Sequence, residues 1–404
     1  MKKISFLGIS LTFALAAFGQ TQLVKDAERA MKSAPEKYPQ NIETLKPAMT
    51  NPETAGQAYT WYVAGKGAFD FFDNQQVVAQ MGKEVDKKAL GHSLIDGYGY
   101  FQTALPLDTV TDAKGKVKTK YSKDMVKMIV GHYNDFSNAA LYLWEVEDYA
   151  GAVEAWNLFV ENRNNPVLLK NGLKAQPDSI YGEILFNMGI GNSLLQNNEG
   201  ALKNFKDAIS MGYTKKNAFD YAISAASAMN NAAEMAAIAE QAYPIYGAED
   251  SRYIGYIINN YLDKKDFAAA DAMIDKYLAA DPNNAQLYFV KGVVLETENK
   301  NAEAKEAYKK AVELDPKNAN ALFRIGYSIY QEACAIDEKD GGGLSNEEYK
   351  KLRETRIDPL FREASKYIEE SYKLDDQNSD ARSVLRSIYY NLNDEENLKR
   401  VEAM

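Results

Sequence analysis

The chain holds two histidines, His92 and His132, and one cysteine, Cys334. A serine or cysteine nucleophile activated by imidazole would have to use one of those two rings. Neither lies in a nucleophile context. Each follows a glycine, Gly91 or Gly131, near what reads as a helix start, and surface or helix-end roles are expected for both. So few ligands also exclude a structural zinc site or a disulfide framework within one chain. Cys334 sits in a helical run and reads as a small buried residue. There are 57 Asp and Glu residues, so no acid–base pair, Asp375-Asp376 included, stands out from the rest. The Gly-Lys pairs at 65–66, 82–83 and 115–116 have Thr60, Val77 and Val110 where a phosphate loop needs its leading glycine. Gly189-Ile190-Gly191 begins a dinucleotide fingerprint, but Leu194 replaces the third glycine, and Gly97-Tyr98-Gly99 is equally weak. These glycines are expected at close helix contacts. No catalytic centre and no cofactor are expected.

Two stretches could act through surface chemistry instead. Trp61, Tyr62, Phe69, Phe71 and Phe72 could stack on sugars, or form a helix core. Lys114, Lys116, Lys118 and Lys120 form the one concentrated positive site on a chain of net charge −10. That overall charge argues against nucleic acid, because phosphate binding needs clustered cations. The lysines alternate with less polar residues after the turn chemistry of Asp112 to Gly115, which suggests a short β-hairpin near residues 107–121. It could dock an acidic partner, or be a solvated connector.

Elements must hold these residues in place, and the first to recognise is an address. Met1-Lys2-Lys3 precedes an apolar run from Ile4 to Phe18 that ends in small residues. This is the pattern of a secretory signal, and the run is short for a membrane span. Cleavage is expected after Gly19, with Ala16 as the other site. The mature chain is then exported and soluble, with the periplasm of a Gram-negative cell, or secretion, as the expected location.

A period of 34 residues organises the rest. In a unit beginning at Ala285, Tyr288, Gly292, Ala304, Tyr308, Ala311 and Pro316 occupy positions 4, 8, 20, 24, 27 and 32. One unit earlier, Ile254, Ala270, Ile274 and Pro282 fall at 4, 20, 24 and 32; one unit later, Leu322, Ile325 and Gly326 fall at 4, 7 and 8. Leu185, Met188, Gly189, Ala201, Phe205 and Ala208 repeat the pattern further back. Small residues at 8 and 20 let two helices approach, a large residue at 24 fills the space beside them, and proline at 32 stops the second helix.

The pattern resembles the tetratricopeptide repeat. That resemblance implies an all-α superhelix of stacked antiparallel helical hairpins. Units are placed at 58–111, 133–166, 182–215, 217–250, 251–284, 285–318, 319–378 and 379–404, with 112–132, 167–181 and 216 as connectors. In domain terms, a signal at 1–19 and a helical leader at 20–57 precede irregular repeats at 58–166. The 167–181 connector then leads to an array at 182–404 with an insertion at 337–358. Within the insertion, Ser345 and Glu348 read as a capping box, and Asp358-Pro359 as a second helix start.

The resemblance also implies a groove lined by the first helix of each unit. Carried over, its residues are Phe186, Ile190, Leu194, Tyr221, Tyr256, Asn259, Phe289, Val293, Phe323, Tyr327 and Tyr330. The Lys, Asn and Arg set with which family members clamp a peptide carboxylate is missing from these positions. The expected function is a non-catalytic scaffold that binds another exported or envelope protein or peptide through aromatic anchors. The rival is a glycan-binding or enzymatic component with its site among the N-terminal aromatic residues.

Overall fold

The computed structural model describes residues 21–111 and 114–403. The expected export segment, residues 1–19, and the turn residues Asp112 and Ala113 lie outside them. The described residues divide into two compact units that meet between Asn231 and Ala232.

The first unit begins with a helix over residues 21–33 (α1). α2 (Tyr38–Thr50), α3 (Pro52–Ala55), α4 (Ala58–Gln80) and α5 (Lys87–Leu107) follow. The leader is part of the core: Val24, Ala27, Met31, Tyr38, Ile42 and Leu45 pack with Val63, Ala64, Ala68 and Phe71 of α4. α4 and α5 run 23 and 21 residues, which explains why the second helix of this hairpin arrives late in the repeat.

β1 (Val110–Thr111) and β2 (Val117–Lys118) then pair antiparallel, Val110 opposite Lys118 and Thr111 opposite Val117. This is the expected hairpin. The connectors around it are also helical, with α6 (Ser122–Gly131) in one and α9 (Pro166–Lys170) beginning at the edge of the other. Between and after them come α7 (Asp135–Glu145), α8 (Tyr149–Asn162), α10 (Asp178–Leu194), α11 (Asn198–Ser210) and α12 (Lys216–Ala228).

The second unit holds α13 (Ala232–Tyr246), α14 (Arg252–Asp263), α15 (Phe267–Ala280), α16 (Ala285–Thr297), α17 (Asn301–Leu314) and α18 (Ala319–Asp340). α19 (Asn346–Leu352), a π-helical turn at Arg353–Ile357, α20 (Asp358–Leu374), α21 (Ser379–Asn391) and α22 (Glu395–Glu402) complete it.

Side-chain caps set the rhythm. Asn284, Asn318 and Asn378 accept from the backbone N–H three residues on and start first helices. Asp148, Asn197, Asp266 and Asp394 do the same for second helices. The residue before each of these four is non-glycine and left-handed: Glu147, Gln196, Lys265 and Asn393, with φ of 60°, 58°, 56° and 54°. Helices α15 and α17 end just before Asp281-Pro282 and Asp315-Pro316, as the proline positions imply.

The division between units falls inside the hairpin expected at 217–250. α12 belongs to the first unit and α13 to the second. Positions 8 and 24 of that hairpin are Ser224 and Glu240, where the unit at 285 has Gly292 and Tyr308. The sequence reading places both helices in one array over 182–404, with a connector at 216; α12 begins at Lys216.

The insertion is built partly as expected. Ser345 and Glu348 form the capping box of α19. Asp358 does not cap α20; the helix runs through the π turn, and Asp358 instead accepts from Arg353 Nε at 2.8 Å. α18 is extended to Asp340, so the second helix is displaced along the sequence but not in its packing. A Cβ on Gly326 would meet Ile368 and the Ala364 carbonyl, the residues matched to positions 24 and 20.

Candidate functional site

Catalysis is the first thing to test, and both histidines are committed elsewhere. His92 Nε2 lies 2.9 Å from Asp148 Oδ2, on the residue that caps α8. His132 ends α6 rather than starting a helix, which corrects its expected place. Its Nδ1 lies 2.9 Å from the Met128 carbonyl and its Nε2 2.9 Å from Asp73 Oδ1. Its ring sits edge-on to Phe69 and Phe72. Burial pushes the Cys334 thiol above its ordinary value, which disfavours a nucleophilic thiolate. Among the described residues, no group of three His, Cys, Asp or Glu side chains could hold a metal ion.

The N-terminal aromatic residues are packed. Phe69, Phe71 and Phe72 are buried, so they cannot offer faces to a sugar. Trp61 Nε1 donates to the Ala55 carbonyl at 2.7 Å. Tyr62 stacks on Tyr121 at 4.6 Å and donates to Asp124. These rings join α4 to α5 and to the segment after the hairpin. The sugar-stacking expectation is corrected for Phe69, Phe71 and Phe72, while Trp61 and Tyr62 are half-buried.

The lysine hairpin stands on a carboxylate. Asp108 is 3% exposed and accepts from the backbone N–H of Lys120, Tyr121 and Ser122 at 2.6–3.0 Å, and from Ser122 Oγ. Burial pushes its carboxyl up, but the hydrogen bonds from Ser122, Lys120 and Tyr121 outweigh burial and hold it below the usual range. Lys116 and Lys118 are exposed, and Lys120 lies 4.9 Å over the Tyr121 ring.

The groove residues fall in two sets. In the first unit, Phe186 is 8% exposed and packs on Phe205, Tyr213 and Tyr221; its ring is core rather than lining, a correction to the expected groove. Ile190 is half-buried. Leu194 and Tyr221 are 52% and 46% exposed, and Tyr221 lies over Phe205 at 5.7 Å.

In the second unit, Tyr256 is half-buried and Asn259 exposed on α14. On α16, Phe289 and Val293 are half-buried against the core, and Phe289 lies 5.7 Å from Tyr308. The second, third and fourth turns of α18 place three rings in a stair. Phe323 and Tyr327 are 5.7 Å apart and 14° from parallel; Tyr327 and Tyr330 are 6.2 Å apart and 25° from parallel. All three are half-buried, and Tyr330 rests on Phe361 at 5.8 Å. Spacings of four and three residues put them on one helix face. Half-buried aromatic rings in a row on one helix face can take part in stacking with a planar or apolar group of a ligand.

Sequence reasoning missed one feature, a cleft between α13 and α15 that contains Tyr243 and Tyr277. Two signals pointed to it. Pro244 stands inside a helix, and Ile258 occupies position 8, where the next unit has glycine. With no small residue there, α14 packs closely on α13 and less on α15.

No curated protein is significantly similar to the chain in sequence. Several solved structures are similar in fold. A tetratricopeptide-repeat protein from Bacteroides fragilis is 16% identical, with 64% of this chain and 98% of that chain covered and a TM-score of 0.35. YrrB, a tetratricopeptide-repeat protein with an unusual peptide-binding site, is 17% identical over 49% of this chain and 88% of its own, with a TM-score of 0.30. The TPR2AB domain of yeast Sti1, in its pHSP90 complex, is 16% identical over 70% and 94%, with a TM-score of 0.24. Residues 285–318 match the tetratricopeptide repeat family model. They are the helices α16 and α17, with Gly292 set against Tyr308 as the repeat requires. The chain thus carries a tetratricopeptide repeat at residues 285–318.

Proposed function

We propose that the chain is an exported, non-catalytic scaffold that binds a segment of another envelope protein through the first helices of its hairpins. Tetratricopeptide-repeat proteins bind proteins or peptides, and the repeat is typically a scaffold rather than a catalyst. The observation that carries the reading is the stair of Phe323, Tyr327 and Tyr330, three half-buried rings nearly parallel on one face of α18. Core packing uses the buried rings beside them, such as Phe361 at 1% exposure, while the three stair rings stay half-buried. Export rests on the charged start and apolar run of residues 1–19. Among the described residues, no helix is long and apolar enough to cross a membrane.

A photo-crosslinker tests the binding face. Placed at Tyr327 in the mature chain and exposed to envelope extract, it is expected to capture a defined protein. The same group at Tyr390, on α21 and 73% exposed, should not capture it. The same protein captured from both positions, or none from Tyr327, would overturn the reading. N-terminal sequencing of the chain recovered from the envelope is expected to start at Gln20, and an intact Met1 would remove the export part.

A further inference from the structure

The second unit contains a cleft of about 710 Å³ on α13 and α15, the second helices of their hairpins. The aromatic stair contributes nothing to it. Tyr243 and Tyr277 meet there, with ring centroids 4.2 Å apart and planes tilted by 48°. Pro244 and Met273 complete the apolar wall.

The polar groups around this wall are mostly acceptors. Glu240 and Asp281 line the cleft, and both are held in place. Tyr261 donates to Glu240 Oε1 at 3.3 Å, and Asn284 Nδ2 donates to Asp281 Oδ2 at 3.1 Å. Both helices also end here, α13 at Tyr246 and α15 at Ala280, and a helix C-terminus carries partial negative charge. Pro244 has no N–H, so it offers no ladder donor to the Glu240 carbonyl four residues earlier.

The one cation in the wall is Lys276, whose Nζ lies 5.7 Å from the centre of the Tyr277 ring. The acidic field reaches the rings. Burial first, then Tyr277 and Asp281, push the Tyr243 hydroxyl up to about 12. Burial and Glu240 raise that of Tyr277 as well.

We propose that this cleft receives an arginine side chain of another polypeptide, its guanidinium laid on the Tyr243 ring and its N–H groups directed to Asp281 and Glu240. Two carboxylates and two helix ends against one ammonium select a cation. An aromatic face beside a carboxylate selects a planar, forked cation over a point charge. Lys276 acts as an internal competitor at the rim. The site shares no residue with the stair on α18, so either can fail without the other.

Calorimetric titration of the mature chain tests this with the blocked peptide Gly-Ser-Arg-Ser-Gly. Its counterparts carry lysine, or the neutral isostere citrulline, in place of arginine. The arginine peptide is expected to bind at least about fivefold more tightly than either counterpart. Asp281→Asn and Tyr243→Leu should each weaken it by about fivefold, and Lys276→Gln should strengthen it. Phe323→Ala should leave it unchanged. Asp281 is exposed, so its variant keeps the fold even if the Tyr243 variant does not. Equal affinity for the citrulline or lysine peptide, or full affinity in a folded Asp281→Asn chain, would overturn the proposal.

Discussion

Gly292 on α16 faces the ring of Tyr308 on α17 so closely that a single added methyl group would overlap it. Gly189 and Phe205 repeat the relationship between α10 and α11. Gly292→Ala is therefore expected to destabilise the second unit by about 1–3 kcal/mol through overpacking. Gly255 is the control, because a Cβ there meets no atom within 4 Å. In α14, Gly255→Ala should stabilise by roughly 0.5–1 kcal/mol. Urea unfolding of both variants checks the opposite signs.

Asp108 ties the foot of the β-hairpin to the end of α5. Asp108→Ala strands three backbone donors and the Ser122 hydroxyl in a site that is 3% exposed. A cost of about 2–3 kcal/mol is expected, with faster amide exchange at Lys120, Tyr121 and Ser122. The carboxyl lies below its ordinary value in the folded chain. Its stabilisation is therefore fully present above the unfolded carboxylate range and lost as the pH falls through the lower folded value. Amide exchange at Ser122, followed from neutral to acid pH, should show this loss.

Asp148 makes a sharper pH prediction. The hydrogen bond from His92, opposed by burial and helped by Gly151 and Lys88, lowers its carboxyl from the ordinary 3.8 to about 2. A depressed folded value stabilises the chain above about pH 4, and the gain disappears as the pH falls toward 2. The amount is about 2 kcal/mol. Asp148→Asn should lose it at neutral pH and flatten the acid limb of the stability curve. If the variant and the parent showed the same acid limb, this account of α8 would be wrong.

Phe361 and Tyr327 separate core from surface. Phe361, at 1% exposure, lies beneath Tyr330, and Phe361→Ala should cost about 3–5 kcal/mol. Tyr327 is half-buried on the stair, and Tyr327→Ala should cost about 1 kcal/mol or less while removing the crosslinked partner. Thermal unfolding measures the first effect and partner capture the second.

Much of the fold was legible because its period rests on residues with few substitutes. Gly292, Ala304 and Tyr308 can satisfy positions 8, 20 and 24 only by packing two helices together, and Pro316 can only end one. Ile368 was recognisable despite its late arrival, because an insertion moves a residue along the chain without changing what it must fill. The break between units was less visible. Ser224 and Glu240 stand there at positions 8 and 24, and a departure from the pattern leaves no motif of its own. Phe186 was assigned to the groove because repeat position alone does not fix exposure; in the fold, Tyr213 and Tyr221 cover its ring. The cleft at Tyr243 escaped notice because its walls come from two different hairpins, related only through packing.

The left-handed residues between paired helices carry a further consequence. Glu147, Gln196, Lys265, Asn299 and Asn393 fall at the same repeat position, each followed at once by the residue that precedes the next helix. Such junctions are almost as short as a hairpin permits. They leave no spare length that could be reshaped to suit a ligand, so chemical discrimination at these junctions must be written on helix faces. Adjustable backbone lies instead at the strand pair after α5 and the Gly341-Gly342-Gly343 link. Changes of partner would be accommodated there by altering length, and within the hairpins only by exchanging side chains.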